Sequence, residues 1–214
     1  MTKRPNSRVN LDRAIERIFG NYELTTEKKG WNGFTGVIVR QEPASPKDVP
    51  PEYVMKPYGV KLQYNGQSWC TVDLEIGFNE IGDAEDVEYG LSDEVVDIFR
   101  KLMFPDPAPV PLMRLEYQVA QKLHGATGPG SQRAHDLIDL QLIVGRAELD
   151  YGRIRDICRR LFVYRKKQAW PPTVTKGPDW ETVYDEENSK GTVLPTVDEA
   201  VAWANELIAK IDRS

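Results

Sequence analysis

The chain has 214 residues, of which 40% are hydrophobic and 29% charged, and its 28 basic and 33 acidic side chains give a formal net charge of -5 at pH 7. This composition is typical of one large or two small folded domains; it excludes disorder of the whole chain and argues against general adhesion to nucleic acid. The apolar runs are too short to span a bilayer and the first residues lack the apolar core of a secretory signal, so we expect a cytoplasmic protein.

The first half of the chain is predicted to be rich in strands. Apolar residues at helical spacing predict a short amphipathic helix at residues 10–19. The β-branched and aromatic residues that follow predict strands at residues 34–40 and 60–64, with a proline-rich surface loop between them. The dipeptide Asn65-Gly66 is a strong hairpin signal, so we expect the second strand to turn back and pair with the next one.

Residues 69–78 show the clearest alternation of a strand. Asp73 and Glu75 share one of its faces. The other face is apolar and consists of Cys70, Val72, Leu74 and Ile76. The chain's two cysteines have no metal-ligand spacing and are too few for a disulfide framework, so we expect Cys70 and Cys158 to be reduced core thiols. An acidic loop is predicted to follow at residues 79–89.

The second half of the chain is predicted to be helical. Ser92 is the expected N-cap of a helix at residues 92–103, and periodicity over residues 112–162, broken at 125–130, predicts three packed helices. The second of these three is expected to begin at the N-cap Ser131 and to run to residue 144. Prolines and a polar run predict an interruption at residues 171–191, before a final helix that opens with a capping box of Thr196 and Glu199.

Proline-rich stretches suggest the division of the chain. They separate a strand-rich part, residues 1–110, from a helical part, residues 111–214, and this arrangement is also compatible with one compact unit. The predicted fold class is therefore α/β in the broad sense, or α+β.

No phosphate loop, dinucleotide fingerprint, nucleophile elbow or zinc-protease helix occurs in the sequence, which leaves three groups of residues that could bind or react. The first group is a basic stretch of seven cations within the fifteen residues from Arg153 to Lys167. It is a candidate nucleic-acid surface, but a solvated helix face is the favoured interpretation.

The second group is the carboxylate pair Asp73 and Glu75. Two carboxylates on one side of a strand could bind one Mg²⁺ ion or contribute to a two-metal site, because hard divalent cations prefer oxygen ligands. The alternative is an ordinary solvated strand face, and the pairing alone favours it.

The third group lies within residues 122–140. On a helix, Arg133, Asp136 and Asp139 fall along one stripe beside apolar core positions, and Lys122 precedes them on another helix. A partly buried polar site and a plain intrahelical ion pair are equally supported alternatives.

Both histidines of the chain, His124 and His135, lie in this third group. Histidines with carboxylates nearby could bind a transition metal. However, the charge of Lys122 would oppose a cation, so polar packing between adjacent helices is the favoured interpretation.

Three of these elements, in this order, carry a family resemblance. They are the strand Val72-Asp-Leu-Glu-Ile-Gly-Phe78, the tripeptide Gln121-Lys122-Leu123 and the helix Arg133-Ala-His-Asp-Leu-Ile-Asp-Leu140. Across roughly residues 58–145 the chain resembles the AbiEii/AbiGii nucleotidyltransferase toxin family of type IV toxin–antitoxin systems, which includes the mycobacterial MenT proteins.

The resemblance implies a nucleotidyltransferase-like fold with a mixed sheet and a helical C-terminal part. It also implies transfer of a nucleoside monophosphate from an NTP to tRNA or protein, with Mg²⁺ as cofactor and a cognate antitoxin as partner. In that scheme Lys122 neutralises triphosphate charge, Arg133 and Asp139 help to bind the nucleotide, and Asp136 is a polar anchor or base. Asp73 corresponds to the sheet-borne catalytic carboxylate and would bind the metal together with Glu75.

One part of the family pattern is not found. The fold's Gly-Ser or Gly-Gly turn and its Asp-x-Asp metal-binding hairpin normally precede these elements, and residues 1–57 contain neither. We therefore expect either that a longer start supplies the hairpin or that this member has lost it. The alternative function is then a catalytically inactive relative that binds a nucleotide or a protein, and a plain interaction module is a third hypothesis.

Overall fold

The computed structural model of the protein describes residues 34–42, 54–77 and 79–214. These residues form two compact units, one up to residue 77 and one from residue 79. The helical part predicted at residues 111–214 lies entirely within the second unit. The helix predicted at residues 10–19 lies outside the described residues.

The first unit is a three-stranded antiparallel sheet in the order β1-β2-β3. Its strands are β1 (Phe34–Arg40), β2 (Lys56–Tyr64) and β3 (Gln67–Ile76). The predicted hairpin is confirmed, because Tyr64 pairs with Gln67 across the turn. Asn65 and Gly66 have φ values of 48° and 77°, the left-handed conformation that a tight two-residue turn requires.

Strand β3 differs from the prediction in two respects. Leu62 pairs with Cys70 but Gln63 pairs with Ser68, so Trp69 is the extra residue of a bulge and leaves the simple alternation. The prediction of a core thiol is wrong for Cys70, which is exposed, whereas Cys158 is buried as expected. The end of this face that carries Cys70 is open to solvent, since Val72 is also 50% exposed, whereas Leu74 and Ile76 are partly buried.

The second unit begins with a short antiparallel ribbon of β4 (Val87–Gly90) and β5 (Val110–Met113). Helix α1 (Asp93–Lys101) lies between these strands in the chain. The predicted N-cap is confirmed, because the Ser92 hydroxyl accepts a hydrogen bond of 3.3 Å from the backbone N–H of Val95.

The core of the second unit is formed by helices. They are α2 (Leu115–Ala126), α3 (His135–Arg146), α4 (Tyr151–Arg165), α5 (Trp180–Glu187) and α6 (Val197–Arg213). The three packed helices predicted within residues 112–162 are confirmed as α2, α3 and α4, and α6 packs on α3 and α4. Their apolar faces meet in a core whose fully buried members include Leu123, Leu137, Ile154, Leu161 and Ile211.

Helix α5 lies within the segment that was predicted to be an interruption. Its aromatic side chains Trp180 and Tyr184 are buried, and each has a polar partner. The indole N–H of Trp180 donates to the carbonyl of Ser131 at 2.7 Å, and the hydroxyl of Tyr184 donates to the carbonyl of Leu194 at 2.8 Å. Burial of two large rings thus stabilises a helix whose polar sequence does not predict it.

The two helix starts predicted from capping residues have opposite outcomes. The capping box of α6 is confirmed, since the side chains of Thr196 and Glu199 each accept a hydrogen bond from the other's backbone N–H. The prediction that Ser131 caps α3 is wrong, because α3 begins four residues later, at His135. The Ser131 hydroxyl instead donates to the carbonyl of Gly125 at 2.8 Å and so closes the loop between α2 and α3.

The predicted α+β class is confirmed. Across residues 34–42, 54–77 and 79–214 the chain forms six helices and two antiparallel sheets, an architecture consistent with a nucleotidyltransferase-like fold. None of the helices in these ranges is both long and apolar enough to cross a membrane.

Candidate functional site

Four charged side chains meet where α2 faces the start of α3, and we call them the charged cluster: Lys122, Arg133, Asp136 and Asp139. Helix α2 carries Lys122, α3 carries Asp136 and Asp139 three residues apart on one face, and Arg133 lies in the turn before α3. The structure therefore brings together the residues that the sequence places in two separate segments.

Asp136 is the centre of the charged cluster. Its side chain is completely buried, with 0% exposure, and it accepts hydrogen bonds from Arg133 Nε at 2.5 Å and Arg133 Nη2 at 3.1 Å. Such a two-point contact fits the planar guanidinium group. Hydrogen bonding to Asp136 raises the pKa of Arg133 above its usual value. Asp136 also lies in the first turn of α3, where the helix dipole favours a negative charge.

Lys122 connects the two carboxylates of α3. Its Nζ lies 2.5 Å from Asp139 Oδ2 and 3.5 Å from Asp136 Oδ1. The Lys122 side chain is 23% exposed and that of Arg133 is 54% exposed, so both cations reach solvent while the carboxylate between them does not. A buried carboxylate that holds two accessible cations is suited to binding an anion such as a phosphate group.

The other predicted pair, Asp73 and Glu75, lies in the first unit. Both side chains are exposed on one face of β3, opposite Gly59 and Pro57 of β2. Their oxygen atoms are ligands of the type that Mg²⁺ prefers, and Mg²⁺ often takes only one or two carboxylates and completes its shell with water and substrate phosphates. Within the described ranges no three His, Cys, Asp or Glu residues gather closely enough to hold a metal ion by themselves.

The two histidines have different surroundings. His124 is buried on α2, its ring stacks edge-on against Phe162, and its Nδ1 lies 3.3 Å from Arg165 Nη1. Burial, together with the charges of Arg165 and Lys167, lowers the pKa of His124 to about 4. His124 is therefore a neutral packing residue at pH 7, whereas His135 is partly exposed with its Nε2 3.7 Å from Asp136.

Sequence analysis missed a second set of ion pairs, formed by residues 79–88, which we call the acidic strap. Glu80 lies 2.6 Å from Arg165, and the buried carboxylate of Asp83 accepts a hydrogen bond of 3.1 Å from Gln121. These contacts fasten the strap to α2 and α4. The only signal in the sequence is the coexistence of an acidic loop and a basic helix, which does not specify the pairing.

Asp86 is the most highly paired residue of the strap. It contacts Arg114 at 2.9 Å and also binds Arg153. Desolvation acts to raise the pKa of Asp86, but hydrogen bonds and charge interactions with the two arginines outweigh it and lower the pKa. The basic stretch is thus only partly a solvated helix face, because Arg153 and Arg165 of α4 bind the strap.

Comparison with protein-family models places the chain in a known family. The family model described as "Nucleotidyl transferase AbiEii toxin, Type IV TA system" matches residues 3–204 of the chain, which include the described part of the first unit, the second unit as far as residue 204 and all of the charged cluster. No curated protein matches the chain.

Proposed function

Because the chain belongs to the AbiEii nucleotidyl transferase toxin family of type IV toxin–antitoxin systems, we propose that it transfers a nucleoside monophosphate from an NTP to a tRNA or a protein. The observation that supports this proposal is the charged cluster. Phosphoryl transfer needs cationic charge on the phosphates and exact positioning more than it needs a covalent nucleophile. Lys122 and Arg133 supply accessible cationic charge, and both are held by contacts with the buried Asp136.

Asp136 acts in this proposal as an anchor and not as a general base. Both of its carboxylate oxygens are engaged by Arg133, and one of them also lies near Lys122. A general base must come within hydrogen-bond distance of the proton that it removes. The completely buried Asp136 presents no free oxygen to a hydroxyl group of the tRNA or protein that receives the nucleotide. Its contribution is to orient the two cations toward the triphosphate, while Asp139 holds the ammonium group of Lys122 from the other side.

Asp73 and Glu75 are the residues that would hold Mg²⁺. The exposed carboxylate pair fits a magnesium ion that retains open positions for substrate oxygens. When bound, Mg²⁺ neutralises phosphate charge and orients the reacting phosphoryl group. The side chains of β3 contribute the carboxylate oxygens on one face of the strand.

The decisive experiment measures label transfer. Purified protein is incubated with Mg²⁺, total tRNA and each of the four NTPs labelled at the α-phosphate, and transfer to RNA or protein is followed on gels. We expect transfer from at least one NTP, and a loss of about a hundredfold or more in Lys122→Ala because the triphosphate charge is no longer neutralised. Lys101→Ala is the matched control, since Lys101 is an exposed helical lysine outside both the charged cluster and the basic stretch.

Two results would separate the competing functions. Absence of transfer to both RNA and protein would refute the enzymatic proposal. If the same preparation still bound an NTP, as measured by a nucleotide-dependent thermal shift, the catalytically inactive relative would be the correct alternative.

Membership in a toxin–antitoxin family also implies a cognate antitoxin. We expect expression of the chain in the cytoplasm to stop cell growth. Co-expression of the antitoxin from the neighbouring gene should relieve this growth arrest. Growth arrest that Lys122→Ala leaves unchanged would contradict a role for the charged cluster in toxicity.

A further inference from the structure

Gly125 occupies an unusual position in α2. It is the last residue but one of the helix, which ends at Ala126, and alanine has a higher helix propensity than glycine. A Cβ atom placed on Gly125 would lie 2.6 Å from Asp136 Oδ2 and 2.7 Å from Arg133 Nε. Both distances are far below the ~3.5–4.0 Å at which non-bonded carbon atoms pack. The ion pair of the charged cluster therefore occupies the volume that a side chain at residue 125 would need.

Neither side of this contact can move away freely. The Gly125 carbonyl accepts hydrogen bonds from the Ser131 hydroxyl at 2.8 Å and from the Gly128 N–H at 3.4 Å, which fix the helix backbone here. On the other side, Asp136 has a short side chain that is completely buried and held by Arg133. A Cβ atom could be accommodated only if the pair separated or if α3 shifted relative to α2.

We propose that Gly125 is a positioning residue of the charged cluster. The absence of its side chain lets Asp136 and Arg133 dock directly against α2, so that Arg133 and Lys122 both contact Asp136. This inference rests on the proposed function, because the geometry that Gly125 sets is that of the cations that would bind the triphosphate. Gly125 does not touch the substrate and acts through Arg133 and Asp136.

The chain supplies a matched control for Gly125→Ala. Gly145 is also a helical glycine, in α3, but a Cβ atom there would meet no other atom within 4 Å. Alanine is intrinsically the better helix residue at both positions. Gly145→Ala should therefore raise the melting temperature, whereas Gly125→Ala should lower it because the Cβ atom displaces the ion pair.

The first test needs no enzymatic activity. The side-chain Nε–H of Arg133 is observed by ¹⁵N NMR and assigned by its loss in Arg133→Lys. We expect Gly125→Ala to move this resonance and to speed its exchange with water, and Gly145→Ala to leave it in place. An unchanged Arg133 resonance in Gly125→Ala would overturn the inference, whether or not the protein transfers nucleotides.

The second test is kinetic and depends on the proposed function. If Gly125 positions the cations, Gly125→Ala should raise the KM for the NTP by about tenfold or more while the melting temperature stays well above the assay temperature. A simple loss of folded protein would lower the apparent kcat and leave KM unchanged. An unchanged KM in an active Gly125→Ala enzyme would refute the positioning role.

A third measurement covers the case in which Gly125→Ala folds poorly. Removing the Arg133 side chain takes away two of the three atoms that a Cβ atom would meet, which are its Nε and Cδ. The loss of melting temperature caused by Gly125→Ala should therefore shrink in an Arg133→Ala background. An equal loss in both backgrounds would show that Gly125 does not accommodate the Arg133 side chain and would overturn its role in positioning that cation.

Discussion

Lowering the pH from about 7 to about 5 is expected to remove roughly 2 kcal/mol of folding free energy through His124 alone. The folded protein holds His124 neutral because the ring is buried and lies next to Arg165, and its pKa falls from 6.5 to about 4. In the unfolded chain the imidazole is hydrated and takes up a proton as soon as the pH drops below about 6.5. Protonation then favours the unfolded state.

The sign and size of this loss of folding free energy follow from proton linkage. The stabilising contribution is fully present above the unfolded pKa of 6.5 and is lost as the pH falls toward the folded pKa of about 4. Each pH unit between these two pKa values corresponds to ~1.4 kcal/mol of folding free energy. The ~1.5 pH units between pH 6.5 and pH 5 therefore give the loss of roughly 2 kcal/mol. Asp86, which is paired with two arginines, has a lowered pKa and loses its contribution only at more acidic pH.

The measurement is urea denaturation at closely spaced pH values between 7 and 5, for the wild type and two variants. His124→Gln should flatten the pH dependence, because the amide can accept the hydrogen bond from Arg165 but does not titrate. His135→Gln replaces the chain's other histidine, at a partly exposed position, and should retain the pH dependence of the wild type. If His124→Gln lost as much stability as the wild type over this range, His124 would not be the source of the pH dependence.

Three further predictions concern stability and use the same denaturation assay. Asp136→Asn should lower the free energy of unfolding by about 2 kcal/mol, because a buried amide cannot replace a carboxylate that accepts from two cations; a change near zero would contradict the anchoring role. A double-mutant cycle of Glu80→Gln and Arg165→Gln should give a coupling of about 1 kcal/mol that persists in high salt, since both side chains are largely buried. Strictly additive effects of the two substitutions would contradict this coupling. Thr196→Ala should cost about 1 kcal/mol by opening the capping box of α6, and no loss would show that the helix end is stabilised by packing alone.

Features encoded by residues close together in the sequence could be predicted. Asn65-Gly66 specifies a tight turn because both residues tolerate positive φ. Ser92 caps α1 through a hydrogen bond from the backbone N–H of Val95, which is only three residues away in the sequence. The capping box of Thr196 and Glu199 is equally local. For both helix caps, the side chain that accepts the hydrogen bond lies within one helical turn of the backbone N–H group that it satisfies.

Features that depend on what packs against a residue were not predictable in the same way. Ser131 has the identity of an N-cap, but its hydroxyl finds the carbonyl of Gly125 and α3 begins after it. Cys70 has the alternation of a buried position, yet its end of β3 is exposed. A pattern shows which side chains share a face, and only the tertiary structure shows whether that face is covered.

The charged cluster and the acidic strap show the same limit. The spacing of Arg133, Asp136 and Asp139 could be read from the sequence, but the contact of Lys122 with two of them joins separate helices. The ion pair of Glu80 and Arg165 spans 85 residues, and neither its existence nor its partners follow from local charge. The first pairing is decided by the packing of α2 against α3, and the second by the contact of the acidic strap with α4.

The contrast between the two cysteines makes the natural chain selectively reactive. Burial raises the pKa of Cys158 and suppresses the thiolate that reacts with alkylating reagents, whereas Cys70 is exposed on β3. A maleimide dye should therefore attach at one defined position without any cysteine having to be removed by mutagenesis. That position lies on the opposite face of the strand from Asp73 and Glu75, so a fluorophore there can report on magnesium or nucleotide addition while the carboxylates stay unmodified.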